Sequence, residues 1–171
     1  MPSKNGNLKS LIQEYLLDEG ILRQKISDSK VDFGFIFTFP PGPRSQQMSV
    51  FKPKDKNFLN IVVRIQLSKQ HANKLTSLKN NKGFQFFNDL KKYFLIKEVY
   101  FKIDAQNFMY EIIEQIFPDK DGHVAKNVFF KTIQKVFYCF LYSNLLLDEY
   151  CSGKTGASSK LGSKFDFSLY S

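Results

Sequence analysis

Positions 31–39, VDFGFIFTF, put Val31, Phe33, Phe35, Phe37 and Phe39 on one side and Asp32, Gly34, Ile36 and Thr38 on the other. A period of two marks a strand with one face against a core. Pro40-Pro41-Gly42-Pro43 stops it, because proline donates no amide hydrogen bond and glycine lets the chain turn. The chain returns through 48–52, turns at 53–57 and runs on through 58–67. There Leu59, Ile61, Val63, Ile65 and Leu67 share a face opposite Asn60, Arg64 and Gln66. This pattern predicts a three-strand antiparallel meander. Alternation resumes at 96–103, with Val99, Phe101 and Ile103 opposite Glu98, Tyr100 and Lys102. Asp104-Ala105-Gln106-Asn107 has the chemistry of a hairpin loop and leads into 108–117. This last strand is apolar on both sides: Phe108, Tyr110, Ile112 and Ile116 on one, Met109, Ile113 and Phe117 on the other. Such a strand is central in its sheet, or one side of it meets a partner.

Helical spacing frames these strands. Leu8, Leu11, Ile12, Tyr15 and Leu16 form an amphipathic stripe, with Asn7 placed to cap its start and Gly20 at the left-handed stop. Ile21 and Leu22 are expected to pack back onto the last turn. Ser68 suits the N-cap of a helix over 69–78 with Ala72, Leu75 and Leu78 inward. Asn80-Asn81-Lys82-Gly83 then interrupts, and 84–94 carries Phe87, Leu90 and Phe94 on one side, so a broken helix or two helices are expected. A turn at 118–122 precedes the longest stripe, from Val124 to Tyr150, about 27 residues and roughly 40 Å. The expected fold is α+β, an antiparallel sheet of about five strands with helices packed on it, in the order α-βββ-α(α)-ββ-α. A single domain is expected over 1–152. Residues 153–171 are expected to form a flexible tail rich in Ser, Gly, Lys and Ala, disordered over 153–164. The apolar Phe165, Phe167, Leu169 and Tyr170 at its end leave two readings, no structure or a short docking strand.

Composition changes this picture little. The 171 residues suffice to bury a core without staples, and 19 Phe and 8 Tyr supply the apolar surface. The net charge of +9 raises the question of nucleic acid. Arg23, Arg44 and Arg64 are the only arginines, however, and the lysines are scattered, which fits a solvated surface better than a phosphate-recognition site. Two cysteines, Cys139 and Cys151, lie too far apart along one helix to bridge, and free thiols suit a reducing compartment. No apolar run approaches the roughly 20 residues that span a bilayer, and the polar N-terminus does not resemble a signal peptide. A cytoplasmic protein without membrane contact is expected.

The candidate chemistry is thin. His71 and His123 carry no recognisable nucleophile signature, Cys139 falls on an apolar helix face, and two histidines with two unclustered cysteines make no zinc spacing. Asp119-Lys120-Asp121-Gly122 resembles half of a calcium loop, yet the first and twelfth ligand positions would be Phe117 and Val128. It reads as a turn. Gly153-Lys154-Thr155-Gly156 lacks the upstream glycine of a phosphate loop, that position being Asp148. Asp18-Glu19 and Asp148-Glu149 lie near helix ends, and Glu111 and Glu114 point to opposite strand faces, so no acid–base pair stands out. The expectation is a non-enzymatic protein with no catalytic, cofactor or metal residues.

The order of elements resembles the type III secretion-chaperone-like fold shared with YbjN-type proteins. More closely, LIQEYLLDEGIL (11–22), VDFGFIFTFPPG (31–42), FKPK (51–54) and FFKTIQKVF (129–137) resemble an uncharacterised archaeal family, over about 8–150. The resemblance implies dimers that hold extended segments of other proteins, and it transfers no individual binding residue. The expected function is therefore a protein-binding or chaperone-like module. Its partner is another protein or a second copy, and the alternatives are a nucleic-acid-associated protein or an enzyme without a motif. The candidate partner or dimer face is Val99, Phe101, Tyr110, Ile112 and Ile113, with the exposed side of the long helix as the other possibility.

Overall fold

The computed structural model describes residues 4–153. The chain runs α1 (Lys4–Asp18), β1 (Leu22–Lys25), β2 (Val31–Phe39), β3 (Gln46–Pro53), β4 (Leu59–Gln66), α2 (Lys69–Ser77), α3 (Lys82–Ile96), β5 (Tyr100–Asp104), β6 (Met109–Ile116) and α4 (Lys126–Ser152). The strands form one six-stranded sheet in the order β1-β2-β3-β4-β6-β5, every pair antiparallel. The expected meander and hairpin are present, and the expected α+β class holds. The sixth strand is β1. Its sequence, Leu-Arg-Gln-Lys, is exposed after the first residue, so it carries no alternation to read. Short and charged, it closes one edge of the sheet. The both-sides-apolar strand β6 lies between β4 and β5 rather than at an edge.

One face of the sheet is the core face. Phe33, Phe35, Phe37, Val50, Leu59, Ile61, Val63, Tyr110 and Ile112 are all buried there with the inner residues of α1, α3 and α4. In α1, Leu8, Ile12, Tyr15 and Leu16 are buried, and the Tyr15 hydroxyl donates to the Val124 carbonyl at 2.9 Å, which ties α1 to the start of α4. Asn7 lies within α1 rather than capping it. Gly20 takes φ 66°, and the amides of Gly20 and Ile21 donate to the carbonyls of Leu17 and Leu16, a glycine-terminated helix end. Ser68 caps α2, its hydroxyl accepting from the His71 amide at 3.2 Å. Asn80 and Asn81 both adopt positive φ, and that break separates α2 from α3.

The 27 residues of α4 pack on β4 and β6, with Phe129, Ile133, Val136, Phe137, Leu146 and Leu147 buried. Within this apolar layer the Tyr110 hydroxyl donates to Ser143 Oγ at 2.8 Å, and Ser143 donates on to the Phe140 carbonyl at 2.7 Å. Each buried hydroxyl is satisfied, so the pair costs the core little. Lys52 is the one charged residue buried among the described residues, and its ammonium meets Asp32 Oδ2 at 2.5 Å. Residues 154–171 lie outside the described residues, and with them both readings of Phe165, Phe167, Leu169 and Tyr170.

Candidate functional site

The strand alternation that sends one set of side chains into the core sends the other set to the opposite face. The register lines them up. Ile36 pairs with Ser49, Ser49 with Val62, Val62 with Ile113, and Ile113 with Tyr100, a continuous row across five strands. To one side lies a second row, Gly34, Phe51, Asn60 and Gln115, in which Gln115 Nε2 donates to Asn60 Oδ1 at 3.4 Å. On the other side Arg64 pairs with Glu111 and Glu111 with Lys102. Ile36, Ser49, Val62 and Ile113 of the first row, Phe51 and Asn60 of the second, and Arg64, Glu111 and Lys102, together with Ile26 beyond β1, line a concavity of about 710 Å³ with an apolar floor and a polar rim. Val62, at its centre, retains 8 % of its surface although no helix lies over it.

The charges are layered. Glu111 is recessed, its side chain 14 % exposed, and accepts from Arg64 Nε at 2.6 Å with Lys102 Nζ 3.8 Å away. Arg64 and Lys102 stand outward at 70 % and 76 % exposure. An incoming ligand therefore meets cations first. Exposed pairs of this kind contribute little stability, about 0–1 kcal/mol each, so their main effect is on the field over the face.

Gly34 shapes the floor. A Cβ there would fall 2.9 Å from Phe51 Cβ and 3.0 Å from Ile26 Cδ1, so glycine is what lets those two side chains close over β2. Gly34→Ala is expected to cost about 1–3 kcal/mol by overpacking. The check is the urea midpoint, which should fall with an unchanged slope; an unaltered midpoint would show that the floor is loose.

The structure divides the five residues expected to form a partner face. Val99, Tyr110 and Ile112 are buried in the core beneath the helices, and Phe101 is half-covered, its ring 5.6 Å from that of Phe94. Ile113 alone lies on the open face. Three of the five are thus core residues of the single chain: Tyr110 and Ile112 because the helices took the even-numbered face of β6, and Val99 because it sits in the link from α3 to β5, its amide donating to the Phe94 carbonyl at 3.2 Å. Sequence reasoning missed Ile36, Phe51, Val62 and the Arg64–Glu111–Lys102 row. The apolar outward positions in β2 and β4 were a visible signal, but the row assembles only once β6 is placed beside β4.

The other candidate groups are local. Burial pushes the Cys139 thiol up to about 11 and the Tyr93 hydroxyl up to about 12, so both stay protonated at neutral pH. His71 Nδ1 lies 3.1 Å from Ser68 Oγ at the start of α2. Asp119 Oδ1 accepts from the amides of Asp121 and His123, which makes the 119–122 stretch the turn its spacing suggests. Lys126 reaches Asp18 and Glu19 at 3.5 and 3.3 Å and joins the end of α1 to α4. Among the described residues no cluster of His, Cys, Asp or Glu could hold a metal ion, and no helix is long and apolar enough to cross a membrane.

Fold and face together define an α+β protein with helices on one side of an antiparallel sheet and an open, concave other side. The chain belongs to a family of uncharacterized conserved proteins, DUF2299, whose profile matches residues 8–147. A solved structure, that of an uncharacterized protein from Methanothermobacter thermautotrophicus, superposes with a TM-score of 0.73 at 20% identity, covering 83% of this chain and 97% of that one. At that identity the likeness shows the fold alone. No curated protein matches the chain. These findings agree with the resemblance to an uncharacterised archaeal family and lend none to the secretion-chaperone or YbjN-type comparison.

Proposed function

We propose that this protein is a non-enzymatic, cytoplasmic protein-binding module whose open sheet face receives a segment of a partner protein. The observation that carries the reading is the concavity itself, an apolar floor of Ile36, Phe51, Val62 and Ile113 under projecting Arg64 and Lys102. A concave apolar surface of this size favours a convex, apolar occupant. The outward cations, on a chain of net charge +9, favour an occupant that also bears carboxylates. The partner is thus defined by chemistry, an apolar segment with acidic residues.

A homodimer is a second part of the reading, favoured by a different observation. Strand β5 is an edge of the sheet, and Leu95 and Ile96, at the end of α3 just before it, are exposed at 63% and 76%. Antiparallel pairing of β5 with its copy would cover them and leave the concave face free. Light scattering after gel filtration is expected to give twice the 19.9 kDa chain mass, and Ile96→Lys to return it to the monomer. A monomer at every concentration removes the dimer and leaves the face untouched.

Capture from native lysate tests the partner class. Wild-type bait and Ile113→Lys bait are compared, each with and without nuclease. The reading expects a protein retained by the wild type, lost from the Ile113→Lys bait and indifferent to nuclease. Recovery that vanishes with nuclease would favour the nucleic-acid alternative, in which Tyr100 stacks bases beside Arg64 and Lys102. On the protein-binding reading, binding to single-stranded DNA or RNA is weak and lost near physiological salt.

A further inference from the structure

The open face has the proportions of a trough. Along β4, Asn60 and Arg64 stand on either side of Val62, and along β6 Gln115 and Glu111 stand on either side of Ile113. Each flanking pair is four residues apart on its strand, which separates the polar walls by about 13 Å. The floor between them is the row Ile36, Ser49, Val62, Ile113 and Tyr100, which crosses five strands. Four strand spacings give the floor a length of about 19 Å. A trough of about 13 by 19 Å takes one face of an α-helix, which is about 10–12 Å thick with its side chains and covers 19 Å in about 13 residues.

Backbone chemistry works against an extended guest on this floor. Ile36, Ser49, Val62 and Ile113 are each paired with a neighbouring strand on both sides. Their amides and carbonyls lie in the plane of the sheet and are already engaged. A lone strand laid over them would press its own backbone groups against apolar side chains that offer no partner. Strand addition needs an edge, and the edges of this sheet are β1 and β5. A helix satisfies its backbone internally and turns an apolar stripe to the floor.

The two walls differ in charge. One carries Asn60 and Gln115, whose side-chain amides meet at 3.4 Å. The other carries Arg64 and Lys102, which share the single carboxylate of Glu111 and leave that wall positive. Only β6 separates the strands of these two cations, so their backbones are about 10 Å apart. Residues seven apart on a helix lie about 10.5 Å apart along one flank. We propose that the partner segment is an amphipathic α-helix of about 13 residues, lying along this row and across the strands, with carboxylates at i and i+7 facing Arg64 and Lys102. This rests on the open-face reading and gives its occupant a shape.

The test measures fluorescence polarisation of labelled peptides of identical composition on the full chain. In one, leucines follow the helical period and two glutamates lie seven residues apart on one flank; in the other, the same residues are arranged with period two. The helical peptide is expected to bind at least about tenfold more tightly and to gain helical circular dichroism on binding, and a central proline in it to cost at least about tenfold. Lys102→Glu should weaken it, and exchanging one glutamate of the peptide for lysine should restore the loss. Equal or tighter binding of the period-two peptide overturns the helix; if Ile113→Lys abolishes that binding, the open-face reading still stands. Saturable binding by neither peptide overturns both. A wild-type dimer that Ile113→Lys turns into a monomer also overturns the helix, because it gives the face to a second copy.

Discussion

Ile112→Lys is expected to unfold the protein, and the neighbouring Ile113→Lys to leave it folded but blind to its partner. The two residues are adjacent on β6 and point to opposite faces. Ile112 is fully buried beneath the helices, where a lysine would be cut off from water, and the carboxylate on the same strand face, Glu114, already pairs with Lys135 at 3.0 Å. Burying an unpaired charge of that kind costs more than about 4 kcal/mol, a large part of the roughly 5–15 kcal/mol by which domains are stable. Ile113 opens onto the concavity, so its ammonium can reach solvent, and a cost of about 1 kcal/mol is expected. Circular dichroism and a thermal melt separate the two. Equal unfolding by both would mean that the open face is closed in solution; equal tolerance would mean that α4 does not cover β6.

The buried ion pair gives the second large effect. Lys52 is 4% exposed while the Asp32 side chain keeps a quarter of its surface, so the two partners are not equivalent. Asp32→Ala removes the carboxylate facing a buried ammonium and is expected to cost about 3 kcal/mol. Lys52→Met keeps the aliphatic stem, leaves a carboxylate that can hydrate, and is expected to stay within about 1 kcal/mol of the wild type. Chemical denaturation of the two variants measures this asymmetry. Equal losses would show that Asp32 depends on Lys52 as strongly as Lys52 depends on Asp32.

What could be read from the sequence follows from what generates each element. The period-two runs of β2 and β4 and the helical stripes of α1 and α4 are produced by burial on one side, so the pattern records them directly. The Ser68 cap and the Asn80–Asn81 break are local chemistry and were equally legible. Strand β1 was not, because only Leu22 of its four residues is even partly covered, and an edge strand held by backbone hydrogen bonds leaves little side-chain signature. The candidate site was half legible for a different reason. Strand β6 is apolar on both sides, so its pattern says that both faces are sheltered without saying which shelter the helices provide. Choosing Tyr110 and Ile112 for the partner face picked the core side. The Arg64–Glu111–Lys102 row joins positions 47 residues apart between Arg64 and Glu111, and it exists only through the pairing of β4 with β6.

The protein-binding claim reduces to whether the concave face takes an apolar, acidic segment. Fluorescence polarisation with labelled peptides of about a dozen residues measures it directly, with apolar–acidic, apolar–basic and scrambled polar sets compared on the full chain. The account predicts saturable binding of apolar–acidic peptides, weakened at least about tenfold, or 1.4 kcal/mol, by Ile113→Lys. It also predicts weakening by the Arg64→Glu/Lys102→Glu pair, with the melting temperatures of both variants close to that of the wild type. Equal affinity for acidic and basic sets, or binding that survives Ile113→Lys unchanged, would contradict it.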